Sequence, residues 1–344
     1  MKPLRLLVCL FMIALSFALP AFAGQLEDGQ AAYDRQDYKT ALELFRPLAE
    51  KGDAKAQHNL GLMYVNGDGV PLDYVEAAKW CRKSAEQGNV DGQVILGYIY
   101  AEGKGVPKDY VEAAKWYRKA AEQGNADAQV TLGYMYANGE GGPQDYVEAA
   151  KWYRKVAEQG NAEAQVTLGD MYAEGKGVAQ DYLEAAKWYR KAAEQGNADA
   201  QNNLGLLYND GHGVPKDYAE AVKWFRKSAD QGHIPAQCSL GWSYYQGHGV
   251  PQDYDEAMKW SKLAAMAGYP YALHTLGDMY DKGRGVAQDY VEAYKWYSLA
   301  AEVSADKPLH DECVGLRDMV AAKMTPGQIA LAQKRAIKWP AVVK

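Results

Sequence analysis

Few groupings in this chain have the residue types and spacing of a reaction centre. Ser304 and Lys307 stand three apart in Ser304-Ala305-Asp306-Lys307. That is the S-x-x-K spacing of the serine nucleophile and lysine in penicillin-recognising enzymes. Such a site also needs S-D-N and K-T-G segments, and neither occurs in the 344 residues. Gly103-Lys104-Gly105 lacks the long spacer and the Ser/Thr of a phosphate-binding loop, and no H-E-x-x-H occurs. His212 and His248 sit in matching loops, but two imidazoles fall short of the three or four ligands a zinc site uses. The residues therefore point to a non-enzymatic protein with no catalytic residue, no metal and no cofactor.

The N-terminus carries an address. Lys2 and Arg5 precede a run from Leu6 to Leu19 that is apolar apart from Ser16, and Ala21-Phe22-Ala23 follows. This is the layout of a secretory signal peptide over 1–23, with Gly24 as the first mature residue. The run is shorter than the ~18–20 apolar residues of a membrane span, and no later segment is long and apolar enough to be one. Cleavage leaves 321 residues and moves the formal charge from −6 to −8. An acidic chain without a basic run argues against nucleic acid and anionic membrane surfaces as partners. Cys81, Cys238 and Cys313 remain, an odd number that excludes a full disulfide framework in an exported protein. The expectation is a periplasmic or secreted monomer.

With 48% hydrophobic and 24% charged residues and a mean hydropathy of −0.44, the chain is globular rather than disordered. It exceeds the roughly 250–300 residues at which one hydrophobic core stops growing. Its tryptophans explain how. Trp80, Trp116, Trp152, Trp188, Trp224, Trp260 and Trp296 are each 36 residues apart, and Leu60-Gly61, Gly67-x-Gly69 and Asp73-Tyr74 recur at the same step. Seven repeats fill 53–304 without an insertion. A half repeat with Asp37-Tyr38 in phase occupies 24–52, and 305–344 reads as two closing helices.

Each repeat reads as two helices. In 125–160, Asn125 caps a helix A over 126–137, and the segment from Gly139 to Gln144 breaks it. Asp145 with Glu148 forms a D-x-x-E variant of the capping box, and helix B runs to Gln159 before Gly160. At 100° per residue, Ala128, Gln129, Leu132, Gly133, Met135 and Tyr136 form one stripe on helix A. No pair can bury that stripe alone, so neighbouring pairs must stack into a solenoid. Burial of ~150–250 Å² per tryptophan at ~25 cal/mol/Å² stabilises the stack by about 4–6 kcal/mol gross.

Ala128, Leu132-Gly133, Tyr136, Gly139, Gly141, Asp145, Ala149 and Trp152 resemble the Sel1-like repeat, a relative of the tetratricopeptide repeat. The resemblance covers 53–304 and, more faintly, 27–52. It implies an all-α, right-handed α-solenoid of helix-turn-helix repeats with an N-terminal half repeat and C-terminal capping helices. In tetratricopeptide-like proteins the inner, concave face of helix A binds partner peptides. Bacterial Sel1-like proteins are associated with envelope assembly, signalling and host interaction. Some cysteine-rich relatives are linked to β-lactam binding, but those tie the two helices of each repeat with a disulfide, and this chain lacks the cysteine pairs.

The residues that change between repeats mark where a partner would sit. Three helix A positions lie away from the packing stripe. They carry Tyr98 and Tyr134 in early repeats, Asn202, Leu206 and Asn209 further on, and Trp242, Tyr245 and His274 late, with Tyr271 nearby. Apolar and aromatic side chains that stacking does not require suit an extended or helical peptide. The opposite expectation is that superhelical curvature buries this face. The function read from these residues is an envelope adaptor or scaffold for a protein or peptide partner. A periplasmic regulator of a membrane sensor or of assembly machinery, and a β-lactam-binding hydrolase, are the alternatives.

Overall fold

The computed structural model describes residues 24–339. The signal peptide read at 1–23 lies outside them. The described residues form eighteen helices and no strand: α1 (24–34), α2 (Tyr38–Glu50) and α3 (Ala54–Asn66), continuing in pairs to α16 (Tyr290–Val303), α17 (Lys307–Ala321) and α18 (Pro326–Lys338). Because α1 precedes α2, the segment read as a half repeat holds two helices. None of the described helices is long and apolar enough to cross a membrane. The chain divides into two compact halves, one ending at Val156 and the other beginning at Ala157.

In the N-terminal half, α6 (Tyr110–Glu122) and α7 (Ala126–Asn138) show how the local chemistry works. Asn125 accepts from Ala128 N at 2.8 Å, and Gly139 ends α7 in the left-handed region at φ 72°. Asp145 Oδ1 accepts from Val147 N and Glu148 N at 2.9 and 3.0 Å. The expected capping box does not close. Asp145 N donates to Tyr136 O at 2.8 Å, so that donor is already used, and Glu148 pairs with Lys151 instead. A capping box does form at Thr325 and Gln328 before α18. The core of this half gathers Leu96, Trp116, Tyr117, Leu132, Met135 and Trp152.

The two loop glycines do different work. The first supplies a left-handed turn. The second lies where the preceding repeat's backbone arrives: a Cβ on Gly141 would sit 2.3 Å from Tyr110 O. Glutamines add a polar seam. Gln93 Nε2 donates to Ala85 O at 3.2 Å, and Gln123 Nε2 donates to Gln93 Oε1 at 2.8 Å. Both glutamines thus tie a helix A to the helices B on its two sides.

The C-terminal half repeats this scheme. Gln201 donates to Ala193 O at 3.1 Å and accepts from Gln231 at 2.8 Å. Its core includes Phe225, Leu240 and Trp260, then Leu276, Met279 and Trp296. At its end α17 takes the next helix A place, one residue late. His310 Nδ1 donates to Ala301 O at 2.8 Å, as Gln237 Nε2 does to Ala229 O at 3.5 Å. The extra residue lies in α16, which has 14 residues where α14 (Tyr254–Met266) has 13. Helices α17 and α18 bury Val291 against Val320 and Ala332. Val111 and Val147 hold that position in earlier repeats and are exposed. Trp339 meets Trp296 edge-on at 4.6 Å.

Candidate functional site

The helix A face of the C-terminal half carries a pocket of about 380 Å³. Three successive helix A elements build it. Helix α13 (Ile234–Gln246) supplies Cys238 and Trp242, α15 (Pro270–Lys282) supplies Tyr271 and His274, and α17 supplies Leu309 and Glu312. Ser239 and Thr275 also line it, at the place Glu312 takes in α17 once the one-residue slip is allowed for. Tyr269, the residue before α15, makes no side-chain cap hydrogen bond. It faces the pocket beside Tyr271, their ring centres 6.1 Å apart.

The walls are fixed from behind. Trp242 is 40% exposed, and its ring stacks on Tyr245 at 5.4 Å with 27° between planes. Tyr271 is 47% exposed, and its hydroxyl donates to Asp306 Oδ2 at 2.7 Å. That hydrogen bond, with some burial, pushes the phenol up to about 12. Burial pushes the Cys238 thiol up to about 12, so the sulfur is a packing atom rather than a nucleophile. His274 brings Nε2 to 3.5 Å from Glu312 Oε1, but this nitrogen makes no hydrogen bond among the described residues.

Two expected contact residues lie elsewhere. Tyr245 is 1% exposed. Its position points into the seam with the next repeat, where its hydroxyl donates to Asp278 Oδ2 at 2.5 Å and accepts from Arg284 at 2.7 Å. It therefore supports Trp242 and does not present itself to a partner. Asn202 is likewise buried in α11 (Ala198–Asp210), and its Oδ1 has no hydrogen-bond partner among the described residues. Leu206 on the same helix is exposed, and Asn209 is half-buried with its amide bonded to Asp210. In the N-terminal half Tyr134 is exposed, and Tyr98 is exposed but hydrogen-bonded to Lys104. The structure thus brings Trp242, Tyr271 and His274 together. It places Tyr98, Tyr134, Leu206 and Asn209 outside that pocket.

Asp278 sits in the seam behind the pocket. It accepts from Tyr245, from Lys282 at 2.6 Å and from Tyr297 at 3.3 Å. Burial alone would push its carboxyl up, but the Lys282 and Tyr245 hydrogen bonds outweigh it and hold the group below its ordinary value. Asp170 occupies the same repeat position and accepts from Tyr189 at 2.6 Å and Asn203 at 3.3 Å. Burial dominates there and raises its pKa.

The motifs weighed for chemistry have other occupations. Ser304 Oγ donates to Asp306 O at 3.0 Å, while Lys307 Nζ pairs with Asp311 at 2.8 Å. His212 and His248 stack on Tyr182 and Tyr218 of the preceding repeat at 4.8 and 4.4 Å. Sequence reasoning missed Leu309 and Glu312. The available signal was the His310 phase, offset by one residue from the glutamine series.

The chain matches the family described as Sel1 repeat in eight consecutive segments, 23–53, 54–89, 90–125, 126–161, 162–197, 198–233, 234–269 and 270–303. The first covers the segment read as a half repeat. A Sel1 repeat protein from Oxalobacter formigenes is 34% identical, with a TM-score of 0.63, over 70% of this chain and 98% of its own. The protective antigen c5321 of uropathogenic Escherichia coli is 32% identical over 92% of this chain and 91% of its own, with a TM-score of 0.35. No curated protein matches the chain.

Proposed function

From the premise that the chain belongs to the Sel1 repeat family, we propose that it is an adaptor of the cell envelope that holds a partner protein segment on a helix A face. Sel1 and tetratricopeptide-like repeats mediate protein–protein interaction, and Sel1 repeat proteins are generally non-enzymatic scaffolds. The observation that carries the finer reading is the pocket between α13, α15 and α17, with Trp242 and Tyr271 open to solvent in it. Both rings are large, pre-positioned and unneeded for stacking, which is how interface anchors are built. The signal-peptide-like N-terminus supports export to the periplasm or beyond.

Crosslinking in intact envelopes, followed by mass spectrometry, tests the adaptor role. Trp242→Ala should remove specific crosslinked species while the melting temperature changes little. Unchanged crosslinks in a folded variant would return Trp242 to a structural role. Export is checked on the purified protein, whose mature N-terminus should be Gly24.

A further inference from the structure

We infer that the pocket between α13, α15 and α17 takes a basic side chain of the partner, arginine in preference to lysine, with its stem along Trp242 and Leu309 and its charge at Glu312. The inference rests on the partner-binding reading and adds the chemistry of the anchor residue.

Charge complementarity carries it. Among the described residues lining the pocket there is one carboxylate, Glu312, and no lysine or arginine. Glu312 is open to a partner: its side chain is 59% exposed, and the imidazole beside it, His274, stands 3.5 Å away and makes no hydrogen bond through Nε2. Asp306, which accepts from the Tyr271 hydroxyl, adds a second negative charge at that wall. The remaining walls are aromatic and apolar. Aromatic faces attract a cation placed over them, and guanidinium stacks on them better than ammonium does.

The same chain already uses this pairing on itself. Elsewhere its tryptophans and tyrosines are covered by its own cations: Lys119 over Trp116 at 4.5 Å, Lys191 over Trp188 at 4.0 Å and Arg284 over Tyr245 at 5.1 Å. Trp242 and Tyr271 lie in the open pocket beside a carboxylate. A flexible basic side chain from a partner meets both halves of that arrangement, the stem burying apolar surface and the head reaching the rim. A leucine would fill the volume and leave Glu312 unanswered. An acidic side chain would be repelled.

The test uses the purified protein with the pentapeptide acetyl-Ala-Ala-Arg-Ala-Ala-amide and its lysine, citrulline and leucine counterparts. Binding is read from the indole Nε1–H signal of Trp242, assigned by its loss in Trp242→Phe. The arginine peptide should shift that signal with about fivefold higher affinity than citrulline, its neutral isostere, the scale of one part-exposed ion pair. Glu312→Gln should remove most of the difference between the two, Asp306 being left in place. Citrulline or leucine binding as well as arginine overturns the charge assignment and leaves the partner-binding reading standing. No shift with any peptide overturns the pocket as the anchor. The partner-binding reading itself falls only if the intact protein forms no specific crosslink in the envelope.

Discussion

Trp242 and Tyr245 stack on one another within a single helix turn, yet they answer to different neighbours. Trp242 faces the pocket, whereas Tyr245 is held in the seam by Asp278 and Arg284. Their substitutions should therefore separate. Trp242→Ala loses part of one aromatic stack and should cost about 1 kcal/mol. Tyr245→Phe keeps the ring but removes a buried donor to a carboxylate, and should cost about 1–3 kcal/mol. Urea titration of the two variants measures both, and a larger loss for Trp242→Ala would contradict the assignment. The carboxylates at the matching positions diverge in the same way. Asp278 has a depressed pKa in the folded state, so it contributes stability above the ordinary carboxylate range and loses it as pH falls through the folded value. Asp278→Asn should destabilise at pH 7, with the difference from wild type shrinking below about pH 4. Asp170 has a raised pKa, so its ionised form opposes folding at neutral pH, and the wild type recovers that stability as pH falls. Asp170→Asn should be neutral or stabilising at pH 7. Thermal melts of both variants from pH 3 to 7 show whether the two trends run in opposite directions.

Between elements, the second loop glycine and the glutamine seam set how one pair meets the next. Gly213 has φ 70° and would place a Cβ 2.2 Å from Tyr182 C, whereas Gly124, at φ 94°, has nothing within 4 Å. Gly124→Ala should cost only the left-handed strain, about 1–2 kcal/mol. Gly213→Ala adds a backbone collision that cannot be relieved by a side-chain rotation, and should cost clearly more. Equal losses in chemical denaturation would show that the seam gives way easily. The recurrence of glycine was legible from the 36-residue step, and so were the helix pairs and most of their caps. The seam partners were harder to read. Gln93 and Gln123 are 30 residues apart, an offset that shows which glutamine meets which only when the stacking geometry is known. The same missing offset hid the burial of Tyr245, whose partner Asp278 stands 33 residues on. The D-x-x-E pattern misled because it is local, while the donor it required was taken by a tyrosine carbonyl of the preceding helix.

At the scale of the chain, the C-terminal helices act both as closure and as part of the pocket. Closure was legible from the end of the tryptophan ruler and from the two helices read in 305–344. The pocket contribution was not, because one added residue in α16 moves α17 out of phase with the repeat. Both roles predict the outcome of removing residues 305–344. The deletion uncovers Val291, Tyr294 and Trp296, which are buried in the intact chain, and a solenoid with an open apolar end loses protection from that end inward. Hydrogen exchange should accelerate first in α16, then in α15, with the helices from α9 (Ala162–Glu174) to α12 (Tyr218–Ala229) of the same half changing least. The deletion also takes away Leu309 and Glu312, so crosslinks that depend on Trp242 should disappear although Trp242 is still present. Restoring α17 and α18 with Glu312→Lys, a change at a side chain that is 59% exposed, separates the two roles. That variant should recover the exchange protection of α16 without recovering the crosslinks. Recovery of both would assign these helices to closure alone and move the partner's contact back onto α13 and α15.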